Sequence, residues 1–135
     1  MDLRPELGSG PLDAAIYLIG RDYGANETRV RQPFVGEAGH ILDDALRAAG
    51  LRRIDVRIDN LVPVQPAANE WARHRPEDVT WGQQRLAALL TEHRPRVIVA
   101  FGNEVAAWLV GDAWPDEGIQ ALRGAEAFLH PITIN

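Results

Sequence analysis

The chain has 135 residues, 46% of them hydrophobic, and a formal net charge of -5 at neutral pH. That length and apolar fraction suit one globular core, so we expect residues 1–135 to form a single domain. The absence of cysteine excludes disulfides, thiolate zinc sites and iron–sulfur clusters, and the acidic balance argues against binding of nucleic acid through bulk positive charge.

The first predicted element is a short buried strand. Residues 14–19 form an unbroken apolar run, typical of a strand buried on both faces, and Gly20 marks the expected turn. Residues 1–13, which are rich in proline and glycine, are expected to run over the surface before it. Asp22 comes just after the strand. Because ligands of open α/β sheets bind outside the carboxyl ends of the strands, this position favours a functional role for Asp22.

Helices and strands alternate along the rest of the chain. The apolar spacing and the positions of proline and glycine predict, in order, helix 38–49, strand 54–64, helix 77–93, strand 96–101, helix 103–110 and strand 125–129. This alternation predicts an α/β fold, a three-layer α/β/α sandwich with a central, mostly parallel four-stranded sheet. Such folds serve many functions, so the site has to identify the function.

Three polar residues fall at the carboxyl ends of predicted strands: Asp22, Asn60 and His130. Taken singly, each has an ordinary structural explanation, namely a turn-forming Asp, a capping Asn and an exposed terminal His. The carboxyl ends of parallel strands share one edge of the sheet, however, and their equivalent positions favour a common site.

Other catalytic and binding motifs are absent. Gly20 and Gly24 match neither a P-loop nor the dinucleotide fingerprint. The only serine, Ser9, is not in a nucleophile elbow. The four histidines do not form a metal-ligand pattern, so we expect no metal.

Four segments resemble the uracil-DNA glycosylase superfamily, above all the branch whose first motif reads GE(A/G)PG followed by PFVG. GRDYG at 20–24 and PFVG at 33–36 have the spacing of that branch, and IDNLVPVQPAAN at 58–69 resembles its TNVVKCRPPGN segment. RPRVIVAFGNEVA at 94–106 resembles KPKVIVALGxxA, and LHP at 129–131 resembles the final HP motif. The likeness covers residues 14–131 in matching order.

The resemblance implies a pocket for a base that is flipped out of the DNA stack. It implies that Phe34 stacks on the base, that Asn60 binds the O4 and N3 edge of a pyrimidine, and that His130 holds O2 as negative charge develops there. A carboxylate near the sugar would stabilise the opposite charge and orient water. Asp22 is the first choice, because the related GQDPY motif has Asp in the same place; Glu27 is the second choice and Asn26 the third.

The resemblance also bears on the size of the substrate. The final tyrosine of GQDPY blocks a methyl group at C5 of the pyrimidine, whereas Gly24 stands at that position here. Tyr23 is the neighbouring residue that could fill the space instead. We therefore expect a DNA glycosylase that excises uracil or a 5-modified pyrimidine, with Tyr23 and Gly24 beside the base.

Departures from the branch shape the expected partners. The chain lacks the cysteines of the iron–sulfur cluster and ends at HPITIN, where the branch continues with a wedge loop. We therefore expect a monomer that needs no cofactor and acts on single-stranded DNA or a flipped-out base. Another subgroup traps the sugar covalently with a loop histidine, and Arg73-His74-Arg75 is similar in content; an exposed loop histidine is the simpler interpretation.

Two other functions stay open. One is a catalytically inactive relative that binds a base, a nucleotide, nucleic acid or a protein partner through the same pocket. The other is an unrelated small-molecule α/β enzyme. No apolar run reaches the length of a membrane span and the N-terminus lacks the features of a signal peptide, so we expect a cytoplasmic protein without membrane contacts.

Overall fold

The computed structural model describes residues 1–111, and its centre is a parallel sheet. Strand β1 (Ile16–Asp22) lies between β2 (Arg57–Val62) and β3 (Val97–Ala100), in the order β2-β1-β3. The predicted α/β class is confirmed. The described residues contribute three of the four predicted strands, and the strand predicted over 125–129 lies outside them.

Within residues 1–111, four α-helices accompany the sheet: α1 (Ala25–Val30), α2 (Glu37–Ala48), α3 (Pro76–His93) and α4 (Asn103–Val110). Alternate residues of β1 point to opposite faces, so Leu18 packs with α2, whereas Tyr17 and Ile19 pack with α3 and α4. This arrangement confirms the three-layer sandwich.

Strand β1 continues past the position where the sequence predicts a turn. Gly20 pairs with Asn60 of β2, and Asp22 pairs with Val62. Gly20 is therefore a strand residue and not part of a turn. Its missing side chain leaves room for the side chains of Phe34 and Asn60. Asp22 is the last residue of β1 instead of the first residue after it.

The long helices begin and end close to the predicted residues. Helix α3 starts at Pro76, followed by Glu77 and Asp78, whose negative charges favour a helix N-terminus. It ends at His93, and the following residue, Arg94, adopts a left-handed conformation with φ 46°. Within residues 1–111 no helix combines the length and apolar character that crossing a membrane requires.

Helix α1 is not predicted by the sequence pattern. None of its six residues is buried, so it has no apolar stripe for periodicity to detect. Its first turn is closed by Glu27, whose Oε1 accepts a hydrogen bond from the backbone N–H of Gly24 at 3.1 Å. The Glu27 side chain thus caps the N-terminus of α1.

The N-terminal segment is anchored to the sheet rather than lying loosely on the surface as expected. Asp59 is fully buried and pairs with Arg57 and Arg85, each at 2.9 Å. The two arginines also donate to backbone carbonyls of the segment, those of Leu3, Arg4, Pro5 and Gly10. Buried guanidinium groups satisfy these carbonyls and hold the segment in place.

Candidate functional site

The candidate site lies at the carboxyl ends of β1 and β3. In a sheet of order β2-β1-β3, the chain winds in opposite directions on either side of the boundary between β1 and β3, which is where such folds bind ligands. Phe101 follows β3 there, and its backbone N–H donates to the carbonyl of Ile19 at 2.9 Å. Its ring centroid lies 5.7 Å from that of Phe34, with an interplanar angle of 60°.

The ring of Phe34 and the amide of Asn60 meet over Gly20. A Cβ placed on Gly20 would lie 2.7 Å from Asn60 Oδ1 and 2.7 Å from both Cε2 and Cζ of Phe34. Because real Cβ atoms do not approach other atoms so closely, only glycine fits here. The structure therefore brings together two of the predicted base-binding residues.

Asn60 carries an unsatisfied donor into this region. The residue is 2% exposed, and its Nδ2 has no hydrogen-bond partner among the described residues. A buried amide without a partner is destabilising, which favours a ligand at this position. An amide offers a donor and an acceptor side by side, as the edge of a pyrimidine requires.

Asp22 is held by two donors at one oxygen. Arg21 Nε lies 2.9 Å and His74 Nε2 lies 2.8 Å from Asp22 Oδ2. The hydrogen bonds among the described residues leave Oδ1 unused. One oxygen thus fixes the carboxylate and the other is available as an acceptor.

His74 is not the exposed loop residue that the sequence suggests. It is 8% exposed, and its ring contacts the ring of Trp71 edge to face at a centroid distance of 5.1 Å. The loop between β2 and α3 folds back onto the end of β1, where Arg21 Nη2 also donates to the carbonyl of Asn69 at 2.9 Å. The structure thereby joins His74 to Asp22.

The loop that carries Phe34 is held from both sides. Phe34 itself has a left-handed backbone with φ 53°, which is unusual for a residue with a bulky side chain. Oε2 of Glu27 accepts from the N–H groups of Val35 and Gly36 at 2.9 and 3.0 Å, while Arg53 donates to the carbonyl of Phe34. Strained backbone of this kind persists where its surroundings fix it and is concentrated at functional sites.

Glu27 therefore acts as a clamp on the backbone of the Phe34 loop. Burial raises the pKa of the Glu27 carboxyl, but the N–H groups of Val35, Gly36 and Gly24 outweigh burial and hold the pKa below its usual range. The carboxylate is engaged on both oxygens by these donors. Its predicted catalytic role stays a prediction, and Asn26, the third choice, is exposed on α1.

Tyr23 and Gly24 are placed next to Asp22 in sequence but differ in surroundings. Tyr23 is 3% exposed, its hydroxyl donates to the carbonyl of Leu7, and burial raises its pKa to about 12. The phenol is thus engaged with the N-terminal segment. Leaving aside its chain neighbours Tyr23 and Ala25, a Cβ on Gly24 would meet only Oε1 of Glu27 within 4 Å among residues 1–111, at 2.9 Å.

The remaining predictions of site chemistry concern His130 and metals. His130 lies outside the described residues. Within residues 1–111 no group of three or more His, Asp or Glu side chains is arranged to hold a metal ion.

Sequence reasoning missed Phe101 and Arg53 at this site. The sequence pattern predicts Phe101 as the last residue of the buried strand 96–101, whereas in the structure it stands directly after β3, which ends at Ala100. Arg53 acts through the carbonyls of Pro33 and Phe34, about 20 residues away in the chain. Side-chain bonds to distant backbone leave no periodic signal in a sequence.

Comparison with known sequences identifies relatives of this chain. A sequence model described as the uracil DNA glycosylase superfamily matches residues 7–131. The type-4 uracil-DNA glycosylase of Thermotoga maritima is 36% identical over 104 residues, which are 77% of this chain and 53% of that protein.

Two further relatives give the same picture. The type-4 uracil-DNA glycosylase of Archaeoglobus fulgidus is 36% identical over 102 residues, 76% of this chain and 50% of that protein. That of Pyrobaculum aerophilum is 35% identical over 95 residues, 70% of this chain and 47% of that protein. The chain thus spans about half the length of these relatives.

Proposed function

The chain belongs to the uracil-DNA glycosylase superfamily, and from that premise we propose that it is a DNA glycosylase. The proposed substrate is uracil or a 5-modified pyrimidine in DNA, and the bond that is hydrolysed joins the base to the deoxyribose. The relatives it matches are named uracil-DNA glycosylases, which supports this reaction class.

The observation that carries the proposal is the meeting of Phe34 and Asn60 over Gly20. A flipped-out pyrimidine needs an apolar surface for its ring and a donor–acceptor pair for its edge. The Phe34 ring provides the surface. The buried amide of Asn60 provides the pair, with its unpartnered Nδ2 donating to O4 and its Oδ1 accepting from N3–H.

Asp22 would direct the water. Water attacks C1′ of the sugar, the bond from C1′ to the base breaks with its electron pair leaving on the base, and the water proton passes to Asp22. The carboxylate also stabilises the positive charge that develops on the sugar. His130 would hold O2 of the departing base, and the proton on Asp22 later returns to the base through solvent.

The first motif leaves room at C5 of the base. Gly24 has no side chain, and among the described residues other than its chain neighbours Tyr23 and Ala25, only Glu27 lies within 4 Å of the position that a Cβ would take. A substituent at C5 would therefore meet less obstruction than beside a tyrosine. The predicted contact of Tyr23 with the base is tested by Tyr23→Phe, described below.

The proposed partners are single-stranded DNA and bases that are already extruded. The steps above use protein side chains and water, and we propose that the protein acts as a monomer. Gly20, over which Phe34 and Asn60 meet, lies two residues before Asp22 in β1, which supports binding of a single extruded nucleotide at this end of the strand.

The test is excision from oligonucleotides that carry one uracil, 5-hydroxymethyluracil or thymine. We expect wild-type protein to leave alkali-labile sites at uracil, and Asp22→Asn and Asn60→Ala each to lower the single-turnover rate by about 10²-fold or more. Asp44→Asn is the control for Asp22, because that side chain is 76% exposed on α2. It should match wild type.

The same experiment separates the proposed enzyme from an inactive relative. If no oligonucleotide loses its base but the protein binds a uracil-containing oligonucleotide measurably, the protein is a binding module and not an enzyme. In that case Asn60→Ala would weaken binding, and no variant would change the amount of alkali-labile product.

A further inference from the structure

The contact between His74 and Asp22 joins two segments 52 residues apart in the chain. His74 Nε2 lies 2.8 Å from Asp22 Oδ2, and the two side chains are 1% and 10% exposed. A hydrogen bond this well shielded from water is stronger than one on the surface. In the proposed reaction, Asp22 is the residue that accepts the proton from water.

The carboxylate of Asp22 determines which ring nitrogen of His74 carries a hydrogen. A carboxylate only accepts hydrogen bonds, so Nε2 of His74 must carry the hydrogen that points at Oδ2. Nδ1 is buried and has no partner among the described residues. The bond to Asp22 is thus the polar contact that sets the orientation of the imidazole.

The backbone and ring of His74 are also fixed. Its N–H donates to the carbonyl of Trp71 at 3.1 Å, and its ring rests against the indole of Trp71. Arg21, the second donor to Oδ2, is 30% exposed and also holds the carbonyl of Asn69. Of the two side chains that contact Oδ2 of Asp22, that of His74 is therefore the more shielded from water.

We propose that His74 is a positioning residue for Asp22, an inference that rests on the proposed glycosylase function. By occupying Oδ2 it fixes the rotation of the carboxylate, so that Oδ1 is the oxygen that faces water and accepts its proton. Loss of the bond would leave Oδ2 held by Arg21 alone, whose side chain is 30% exposed, and the carboxylate would rotate more freely. Because misplacing a catalytic group by about 1 Å can cost 10²-fold in rate, the effect would fall on the chemical step.

The test uses two substitutions of similar size. His74→Leu removes the donor, whereas His74→Gln keeps a side-chain N–H that can reach Asp22. We expect His74→Leu to lower kcat for uracil excision by about 10²-fold with KM changed less than about threefold, and His74→Gln to recover at least about tenfold of that loss. His40→Leu, an exposed histidine on α2, is the control.

A double-mutant cycle distinguishes positioning from an independent role. If His74 acts through Asp22, His74→Leu should change the rate by less than about threefold in an Asp22→Asn background. Equal losses in both backgrounds, a loss confined to KM, or a His74→Gln variant no better than His74→Leu would overturn the proposal. A protein–DNA adduct that survives denaturant and disappears with His74→Leu would overturn it too, since His74 would then be a nucleophile.

Failure of this inference is distinct from failure of the proposed function. An active wild type whose rate is unchanged by His74→Leu overturns the role of His74 alone. A wild type that excises no base overturns the proposed function and the inference with it. Thermal unfolding of each variant shows whether a lost rate reflects lost structure, and His74→Gln supplies the comparison if His74→Leu does not fold.

Discussion

Gly20 and Phe34 are in such close contact that a Cβ on Gly20 would lie 2.7 Å from two carbons of the Phe34 ring. Gly20→Ala should therefore displace the ring and the Asn60 amide. We expect the uracil excision rate to fall by about 10²-fold, because the two groups no longer converge, and the free energy of unfolding to fall by about 1–3 kcal/mol through overpacking. Oligonucleotide cleavage and urea denaturation measure the two effects. Full activity in Gly20→Ala would show that the base binds elsewhere.

Glu27→Gln should loosen the Phe34 loop. An amide oxygen can replace one carboxylate oxygen but not both, and the carboxylate accepts from three backbone N–H groups. We expect a loss of about 1–3 kcal/mol in unfolding free energy, since hydrogen bonds to charged groups contribute about that much. Glu37→Gln, an exposed acid in the first turn of α2, is the control for charge removal near a helix start.

The same carboxylate predicts a dependence of stability on pH. The pKa of Glu27 is lower in the folded protein than its ordinary value of 4.5, so the unfolded chain binds more protons in that range. The stabilisation from Glu27 is therefore present above pH 4.5 and is lost as the pH falls below it. Wild type should lose more stability than Glu27→Gln between pH 6 and about 3. Parallel pH profiles for the two proteins would contradict the clamp.

Tyr23→Phe separates a structural hydroxyl from a base-binding one. The hydroxyl donates to the carbonyl of Leu7, so its removal should lower the unfolding free energy by about 0.5–1.5 kcal/mol. We expect kcat/KM for uracil excision to change by less than about twofold, since the hydroxyl is not needed for the contacts proposed above. A loss of tenfold or more at unchanged stability would instead support the predicted contact of Tyr23 with the base.

The two tyrosines of the chain should resist ionisation. Burial raises the pKa of Tyr17 and of Tyr23 to about 12. The unfolded chain loses these protons near pH 10. The stabilisation that the two protonated phenols contribute is therefore fully present below pH 10 and is lost as the pH rises toward 12. Absorbance at 295 nm should show little tyrosinate at about pH 10.5 in the folded protein and much more in urea. Equal absorbance in both would contradict the burial of the phenols.

Arg85→Met should be strongly destabilising. The arginine is fully buried against Asp59, and removing one partner of a buried ion pair costs about 3–5 kcal/mol. Arg47→Met, whose side chain is 77% exposed, should change the unfolding free energy by less than about 0.5 kcal/mol. Hydrogen exchange at Ser9, whose N–H donates to the carbonyl of Ile58 at 2.8 Å, should accelerate in the variant because the N-terminal segment is released.

The sequence predicts those parts of the fold that bury apolar side chains at a regular period. The stripe of α2 and the apolar run of β1 are of this kind; α2 lies where expected, whereas β1 continues past the predicted turn to Asp22. Helix α1 buries no side chain and gives no such signal. The anchoring of residues 3–10 depends on two arginines far along the chain, which only the folded structure reveals.

The site follows the same division. Asp22 and Asn60 could be chosen because parallel strands bring their ends to one edge, and Phe34 because its segment resembles the PFVG motif. The structure places Phe34 and Asn60 together. The pairing of His74 with Asp22 depends on how a loop of about a dozen residues folds back, which composition does not specify. The role of Glu27 escaped because a carboxylate bound to backbone N–H groups looks in sequence like any other acid.

The left-handed backbone of Phe34 has a consequence for the speed of recognition. Because Glu27 and Arg53 hold this conformation through contacts within the chain, a base that binds as proposed meets a ring that folding has already positioned. The entropy lost in ordering the loop belongs to folding rather than to substrate capture, so association should be governed by extrusion of the nucleotide.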